Sequence, residues 1–338
     1  MSLQAASVVD GREEIEAPPD IERFSSLRRM AADPGTRFVV SMGGGGVPSL
    51  SGNAALAILL EELGLREHVE EVWGTSGGAI VAGSWASGTT APRIREILLS
   101  LRDRQMLDID WLHLVRGALF KRFGACFPDA ILRGKHFHEA MVSGLHVDTF
   151  EECEIPFRCI ACTEDEDGRR KVFREGRLAP AISASMSLPG FLMPRDADGQ
   201  VCNGFFDGGL VEKTPLFSPL ADHTRLGDGR DLLILGAYFG PAHGHLGLAR
   251  GFFNRLLVTI EALAANLWEH QQQEARRQAG VTVLMVDPHF EADSTHFNFA
   301  RVERDYLRAR EAFKDKLQNA RIALTLGTSC GPTHPCPA

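Results

Sequence analysis

Short apolar runs, each followed by glycines and then by a helical pattern, dominate the first part of the chain. Arg37–Met42 (RFVVSM) is the first run, Gly43–Gly46 follow it, and Ala54–Leu63 then shows helical spacing. Val69–Trp73 is the second run, and a helical pattern begins directly after Ser76. Successive strand–turn–helix units are typical of a parallel sheet covered by helices. We therefore predict an α/β fold with a central, mostly parallel sheet.

The pattern continues with further strands and amphipathic helices. Residues 91–145 are helical in pattern, with apolar residues at Leu107, Trp111, Leu114, Ala118 and Leu119. Phe157–Thr163 and Arg170–Phe173 predict two strands joined across Asp167-Gly168, a dipeptide typical of hairpin turns. Further strands are predicted at Asn203–Asp207, Leu232–Ala237 and Val281–Val286, and further helices at Phe252–Trp268 and Arg301–Leu326.

The same patterning divides the chain into three parts. Residues 1–36 are polar and predict a loosely ordered leader with one short helix near residues 21–31. Residues 37–326 contain no internal repeat and no clear linker, so we predict one domain there. Residues 327–338 contain Gly, Ser, Cys and three prolines, a composition that predicts a disordered tail.

Composition excludes some classes of function and compartment. Hydrophobic residues make up 44% of the 338 residues and the net charge is -8, values that do not suggest a nucleic-acid-binding protein. The seven cysteines form no repeating frame, which is typical of reduced thiols in a cytosolic protein. The N-terminus does not resemble a secretory signal, and no stretch approaches the length of a membrane span. We expect a cytoplasmic protein whose contact with membranes is at most peripheral.

Metal or cofactor chemistry is not expected from the sequence. Cys159-x-x-Cys162 has the spacing of a metal-ligand pair, but no second such pair accompanies it. Two core residues on a strand are the favoured interpretation. No Asp/Glu cluster has the spacing of a calcium loop. We therefore expect neither a bound metal nor a cofactor.

The residues from Gly74 to Gly78 (GTSGG) form a G-x-S-x-G motif between a predicted strand and a predicted helix. In that setting, small residues allow a sharp backbone turn, which exposes the serine hydroxyl at the end of the sheet. The helix that follows contributes the positive end of its dipole. The motif predicts that Ser76 is a nucleophile, although a plain tight turn remains the alternative.

Two further glycine-rich segments lie at predicted strand ends. Gly43–Gly46 follow the first strand and free backbone N–H groups to point into a cleft, where they can bind a phosphate or an oxyanion. No Gly-Lys-Ser/Thr follows, so the loop is not a P-loop. Asp207-Gly208-Gly209 ends another apolar run and is expected at the carboxyl edge of the sheet, where open α/β sheets bind ligands. A turn-forming Asp-Gly is the alternative.

Together, these motifs resemble those of the patatin-like phospholipases. The resemblance runs from Arg37 to about Pro219, and the motifs come in family order: glycine-rich loop, G-x-S-x-G and D-G-G. The segment Ala184–Phe191 (ASMSLPGF) is similar to the family segment between the serine and the aspartate, in which a serine precedes Pro-Gly and which leads toward D-G-G.

The resemblance implies a three-layer α/β/α fold and a Ser–Asp dyad without histidine. It assigns Ser76 as nucleophile, Asp207 as general base, and Gly44, Gly45 and Gly46 as the oxyanion loop. Family substrates are acyl esters of lipids, so a phospholipase A-type or related hydrolase is expected, with a lipid or acyl ester as its partner. The dyad is chemically reasonable, since a serine hydroxyl needs a base in reach and partial burial raises the basicity of a carboxylate.

The chain departs from the family pattern at two places, and other functions remain open. Val47-Pro48-Ser49 supplies neither the basic residue nor the last glycine of the family loop, which usually reads G-G-G-x-Arg/Lys-G. Lys213 stands where the family's D-G-G-x-x-x-N-x-P has Asn, whereas Pro215 is kept. A soluble carboxylesterase or thioesterase using the same dyad is one alternative. A non-enzymatic lipid-binding protein is another, although the presence of both Ser76 and Asp207 argues against it.

A conventional Ser–Asp–His triad is a further alternative. Such a triad needs a histidine late in the chain, and four are available, although solvated loop positions are the simpler interpretation of them: His243, His245, His289 and His296.

The helix predicted at Phe252–Trp268 has a wide apolar stripe flanked by Arg250 and Arg255. Such a helix either docks on a lipid surface or packs against the sheet, and packing is the favoured interpretation. The stripe consists of Phe252, Phe253, Leu256, Leu257, Ile260, Leu267 and Trp268.

Overall fold

A computed structural model describes residues 19–101, 108, 130–240, 252–290 and 298–326. Seven strands form its sheet: β1 (Thr36–Met42), β2 (Glu71–Thr75), β3 (Phe157–Thr163), β4 (Arg170–Phe173), β5 (Phe205–Asp207), β6 (Asp231–Ala237) and β7 (Val281–Val286). The helices described are α1 (Ser25–Ala31), α2 (Gly46–Glu62), α3 (Gly77–Ala86), α4 (Ala91–Ser100), α5 (Lys135–Ser143), α6 (Leu178–Ser185), α7 (Gly209–Glu212), α8 (Phe217–Leu226), α9 (Phe252–Arg277) and α10 (Val302–Leu326). The apolar positions predicted from Leu107 to Leu119 lie outside the described residues.

The sheet is mostly parallel, as the strand–turn–helix pattern predicts. Its order is β4-β3-β2-β1-β6-β7, with β5 also paired to β3. The pairs β1–β2, β2–β3, β1–β6 and β6–β7 are parallel, whereas β4 and β5 run antiparallel to β3. The hairpin predicted across Asp167-Gly168 is confirmed by the β3–β4 pair.

Helices cover both faces of the sheet, which gives the fold three layers. Alternate side chains of β1 point to opposite faces, because successive residues of a strand do so. Phe38 and Val40 belong to a large apolar core on the face covered by α2 and α3, whereas Val39 belongs to a second core with Leu220 of α8 and Trp268 of α9. The three-layer α/β/α fold implied by the resemblance is confirmed.

Helix α2 begins eight residues before the predicted start at Ala54. It includes Gly46 and Pro48, residues that disfavour helix interiors and therefore hide the start in the sequence. Pro48 is tolerated because N–H groups in the first turn of a helix have no intrahelical partner. The glycine loop therefore leads directly into the N-terminus of a helix.

The short helix predicted near residues 21–31 of the leader is confirmed. Ile21–Phe24 forms a 3₁₀ turn that continues into α1. Phe24 and Leu27 are each only 1% exposed, and both belong to the large core that also contains residues of α2 and α10. Because the neighbouring residues are polar, the sequence did not indicate that Phe24 and Leu27 are buried in the core. Residues 1–18 and the tail, 327–338, lie outside the described residues.

Helix α9 packs against the sheet with part of its apolar stripe and exposes another part. Leu257 and Trp268 are buried, and Trp268 stacks on Tyr238 with ring centroids 4.6 Å apart. Leu267 and Leu263 are exposed, so the apolar stripe is only partly used for packing. Side chains of Phe252, Phe253 and Leu256 are not described. Within the described residues, no helix combines the length and apolar character needed to cross a bilayer.

Candidate active site

The register of the sheet brings Ser76 and Asp207 together. β2 ends at Thr75, which lies opposite Ile160 of β3, and Asp207 of β5 lies opposite the next residue, Ala161. Since Ala161 also pairs with β4 on its other side, β5 must lie on the side of β2, directly beyond its end. The residue that follows Thr75 is therefore adjacent to Asp207.

Ser76 adopts a backbone conformation that few non-glycine residues occupy. Its φ of 53° and ψ of -126° place it at the N-cap of α3, where its carbonyl accepts the N–H of Ala79 at 2.9 Å. Such conformations cost about 1–3 kcal/mol and persist where surrounding contacts enforce them. This is the sharp strand-to-helix turn that the G-x-S-x-G motif predicts.

The side chains of the predicted nucleophile and base are in direct contact. The Ser76 hydroxyl donates to Oδ2 of Asp207 at 2.7 Å, and the amide of Gly209 donates to Oδ1 at 2.7 Å. Asp207 is 5% exposed. One carboxylate oxygen thus faces the serine while the other is oriented by the backbone of the D-G-G motif.

Ser185 is a residue at this site to which the motifs assigned no role. Its hydroxyl accepts the N–H of Ser76 at 2.8 Å and donates to the carbonyl of Ile160 at 2.5 Å. Its own carbonyl accepts the N–H of Gly208 at 3.0 Å, and the carbonyl of Ser187 accepts the N–H of Asp207 at 2.9 Å. The segment after β4 therefore contacts both members of the predicted dyad, and its likeness to the family was the only signal of that role.

The glycine loop lies beside Ser76 because Met42, the last residue of β1, pairs with Gly74 of β2. The amide of Gly44 donates to the carbonyl of Lys213 at 2.7 Å. Gly45 has a φ of 151°, a conformation that L side chains rarely adopt. The side-chain amide of Asn53 donates to the carbonyl of Gly43 at 2.9 Å. The loop is thus fixed from two sides, and the Gly44 amide already has a partner.

Gly78 allows the start of α3 to pack closely against the end of β1. A Cβ atom at this position would lie 2.1 Å from the carbonyl oxygen of Met42 and 2.5 Å from that of Gly43. No side chain fits there, because real Cβ atoms do not approach oxygen so closely. The other motif glycines lie where predicted: Gly74 on β2, Gly208 directly after β5, and Gly209 at the start of α7.

An apolar cleft with an empty volume of about 900 Å³ opens above the dyad. The glycine loop, Ser76 and Asp207 line one end of it. Several helices contribute to its walls, among them α9 with Ile260 and Ala264. The remaining apolar residues described along the cleft are Val47, Leu50, Ile80, Leu132, Phe137, Met186, Leu188, Leu192, Leu210 and Phe299.

Lys213, the residue that departs from the family motif, also lines the cleft. Its ammonium group is in direct hydrogen-bond contact with a carboxylate oxygen of Glu261 on α9. The Lys213 side chain is 6% exposed and that of Glu261 is 13% exposed. A buried ion pair therefore joins Lys213, which directly follows α7, to α9 at the wall of the cleft.

Of the four candidate histidines, the structure describes His289, which is not among the residues that line the cleft. His289 is exposed, and its ring nitrogen lies 3.5 Å from a carboxylate oxygen of Asp287. His243, His245 and His296 lie outside the described residues. Cys159 and Cys162 are buried on β3, as predicted for core residues of a strand, and burial raises the pKa of Cys159 to about 12. Within the described residues, no group of three His, Cys, Asp or Glu side chains is placed to hold a metal.

Comparison with known families identifies a match over the region that carries these motifs. The model of the patatin-like phospholipase family matches residues 40–220, just over half of the 338 residues. An NTE family protein of Mycobacterium bovis is 27% identical over 246 residues, which are 70% of this chain and 59% of that protein. A patatin-like phospholipase domain-containing protein of Caenorhabditis elegans is 27% identical over 192 residues, 57% of this chain and 16% of that protein. The chain thus spans only part of each relative.

Two solved structures also match, at much lower sequence identity. VipD from Legionella pneumophila is 13% identical, with a TM-score of 0.41 over 84% of this chain and 67% of that one. Human GIVD cytosolic phospholipase A2, solved in complex with methyl gamma-linolenyl fluorophosphonate, is 14% identical, with a TM-score of 0.37 over 91% of this chain and 64% of that one.

Proposed function

The chain belongs to the patatin-like phospholipase family, and from that premise we propose that it is a serine hydrolase that cleaves carboxylic esters of lipids. The 2.7 Å contact between the Ser76 hydroxyl and Asp207 at the end of an apolar cleft carries the proposal. A serine is a weak nucleophile unless a base accepts its proton. The carboxylate that would do so is already its hydrogen-bond acceptor.

In the acylation step, Asp207 accepts the hydroxyl proton while the Ser76 oxygen forms a bond to the ester carbonyl carbon. The tetrahedral intermediate then collapses, the bond to the alcohol oxygen breaks, and the proton passes from Asp207 to the departing alcohol. In the second step, the oxygen of a water molecule forms a bond to the acyl carbon while Asp207 accepts a proton from that water. The bond between the acyl carbon and the Ser76 oxygen then breaks, the fatty acid leaves, and the proton returns from Asp207 to Ser76. Asp207 is 5% exposed, so these proton transfers take place in a site largely closed to bulk water.

The oxyanion of the intermediate is stabilised, in this proposal, by the glycine loop. Gly44 donates its amide to the Lys213 carbonyl, so Gly45 and Gly46 are the better candidates for donation to substrate. Gly46 begins α2, and N–H groups in the first turn of a helix lack intrahelical partners and carry the positive end of the dipole. Gly44 would instead serve close approach, since a Cβ there would lie 2.9 Å from that of Ser76.

The apolar lining supports a lipid substrate over the soluble-ester alternative. Leu132, Phe137 and Leu192 are among many hydrocarbon side chains along the cleft, and burial of an acyl chain against such a surface is favourable by about 0.8 kcal/mol per CH₂ group. The direct Ser76–Asp207 contact argues against a protein that only binds lipid, because binding an acyl chain needs neither group.

Active-site labelling tests the proposal. A fluorophosphonate should label the wild-type protein on Ser76, as located by mass spectrometry, and the protein should release fatty acid from a mixed lipid extract. Ser76→Ala should lose both properties. Ser84→Ala is the matched control, because Ser84 is a buried serine of the same helix that does not line the cleft. Label on a different residue, or fatty-acid release by Ser76→Ala, would contradict the proposal.

A further inference from the structure

The described residues that line the cleft include very few polar side chains. Beyond the proposed dyad of Ser76 and Asp207, the described residues along the cleft whose side chains carry hydrogen-bonding groups are Lys213 and Glu261. They come from different elements, 48 residues apart in sequence. Polar parts of a bound substrate that enter this part of the cleft therefore meet this pair.

The pair lies close to the proposed reaction centre. The carbonyl of Lys213 accepts the amide of Gly44 in the glycine loop, and Lys213 directly follows α7, the short helix that begins at the last glycine of the D-G-G motif. A buried ion pair contributes little net stability, since removing two charges from water costs about as much as their attraction returns. The pair could serve only to hold α9 against the residues that follow α7. That structural role does not explain why both residues line the cleft.

From this placement we infer that Lys213 and Glu261 bind the alcohol part of the ester and select uncharged, hydroxyl-bearing alcohols such as glycerol. The inference rests on the proposed function. An ammonium group only donates hydrogen bonds and an ionised carboxylate only accepts them, so the adjacent pair matches a hydroxyl group, which does both. A phosphate group bound by Lys213 would come close to the carboxylate of Glu261, and like charges at such a distance disfavour binding.

A competition between two esters that differ only in the phosphate tests this selectivity. The wild-type protein is incubated with an equimolar mixture of 1-oleoylglycerol and 1-oleoylglycerol 3-phosphate in non-ionic detergent micelles, and loss of each is followed by mass spectrometry. The ratio of the two rates gives the ratio of kcat/KM, and it does not depend on the fraction of active enzyme. We expect the uncharged ester to be favoured by roughly tenfold or more, in the range that one mismatched charged contact produces.

Three variants identify the residue responsible. Glu261→Gln removes the negative charge and keeps the size, so it should lower the preference for the uncharged ester by roughly tenfold. Glu261→Asp keeps the charge and should keep a preference for the uncharged ester. Glu269→Gln is the matched control, because Glu269 is an exposed carboxylate two helical turns further along α9; its ratio should equal that of the wild type.

The possible outcomes distinguish failure of this inference from failure of the proposed hydrolase function. A wild-type preference for the phosphate ester would overturn the inference, as would equal ratios in Glu261→Gln and Glu269→Gln. Hydrolysis of neither ester by a protein whose Ser76 reacts with the fluorophosphonate would also overturn it, while leaving the proposed nucleophile intact. Failure of Ser76 to react would instead contradict the proposed function.

Discussion

Removing the hydroxyl of Ser185 tests how the strained turn at Ser76 is held. In Ser185→Ala, the N–H of Ser76 loses its acceptor at 2.8 Å and the carbonyl of Ile160 loses a donor at 2.5 Å. Ser185 is fully buried, so water does not readily replace the lost hydroxyl. A buried polar group left without a partner costs about 1–3 kcal/mol, and we expect the free energy of unfolding to fall by about that amount.

Part of this loss should also appear in turnover. Without Ser185, the amide of Ser76 is free to rotate toward a more common conformation, which displaces the hydroxyl from Asp207. About 1.4 kcal/mol of lost transition-state stabilisation corresponds to a tenfold lower kcat, and we expect kcat to fall by about that factor with little change in KM. Urea denaturation gives the stability change, and hydrolysis of a p-nitrophenyl ester gives kcat and KM.

Ser187→Ala is the matched control in the same segment. Ser187 is also a buried serine, but its hydroxyl donates to the carbonyl of Ser183, at 2.6 Å, four residues earlier. Its loss should therefore leave kcat unchanged. If Ser185→Ala retained full kcat, or if the two variants lost kcat equally, the positioning role assigned to Ser185 would be refuted.

Two other predictions follow from the same geometry. Gly45→Pro should lower kcat by about a hundredfold, because proline fixes φ near -65° and removes a proposed oxyanion donor, whereas Gly45 has a φ of 151°; undiminished hydrolysis by the folded variant would exclude the loop from the mechanism. Burial raises the pKa of Cys159 to about 12, so at pH 8 iodoacetamide should alkylate Cys159 slowly in the native protein and rapidly in urea, as measured by mass spectrometry. Rapid alkylation of native Cys159 would show that the thiol is not enclosed on β3.

Local patterns predicted most of the sheet and the positions of the motifs in it. Apolar runs that end in glycine identify β1 and β2. The carboxyl ends of parallel strands share one edge, so the amino-acid sequence was enough to place the glycine loop beside Ser76. The start of α2 was missed, since Gly46 and Pro48 suppress a helical pattern although both fit the first turn.

Contacts between distant residues could not be predicted in this way. β5 has only three residues, too few to show alternation, and its position beyond the end of β2 depends on pairing with β3. The bond from Ser76 to Ser185 joins residues 109 positions apart. The contact between Lys213 and Glu261 could not be predicted either. In a sequence, a lysine near a turn and a glutamate on an amphipathic helix both suggest exposure to solvent.

The central claim is that Asp207 is the base that activates Ser76 without a histidine. Asp207→Asn is the most direct test, because the asparagine side-chain oxygen can still accept the Gly209 amide now bound at 2.7 Å, while its amide nitrogen cannot accept the serine proton. Replacement of His243, His245, His289 and His296 by glutamine, one at a time, provides the comparison.

The decisive measurement is kcat for these five variants on one ester, with circular dichroism to confirm that each is folded. The account predicts that Asp207→Asn lowers kcat by about 10³- to 10⁴-fold, as loss of a catalytic partner does in other serine hydrolases, and that all four histidine variants keep most of the wild-type value. A folded histidine variant that loses as much activity as Asp207→Asn, or an Asp207→Asn variant that stays active, would contradict it.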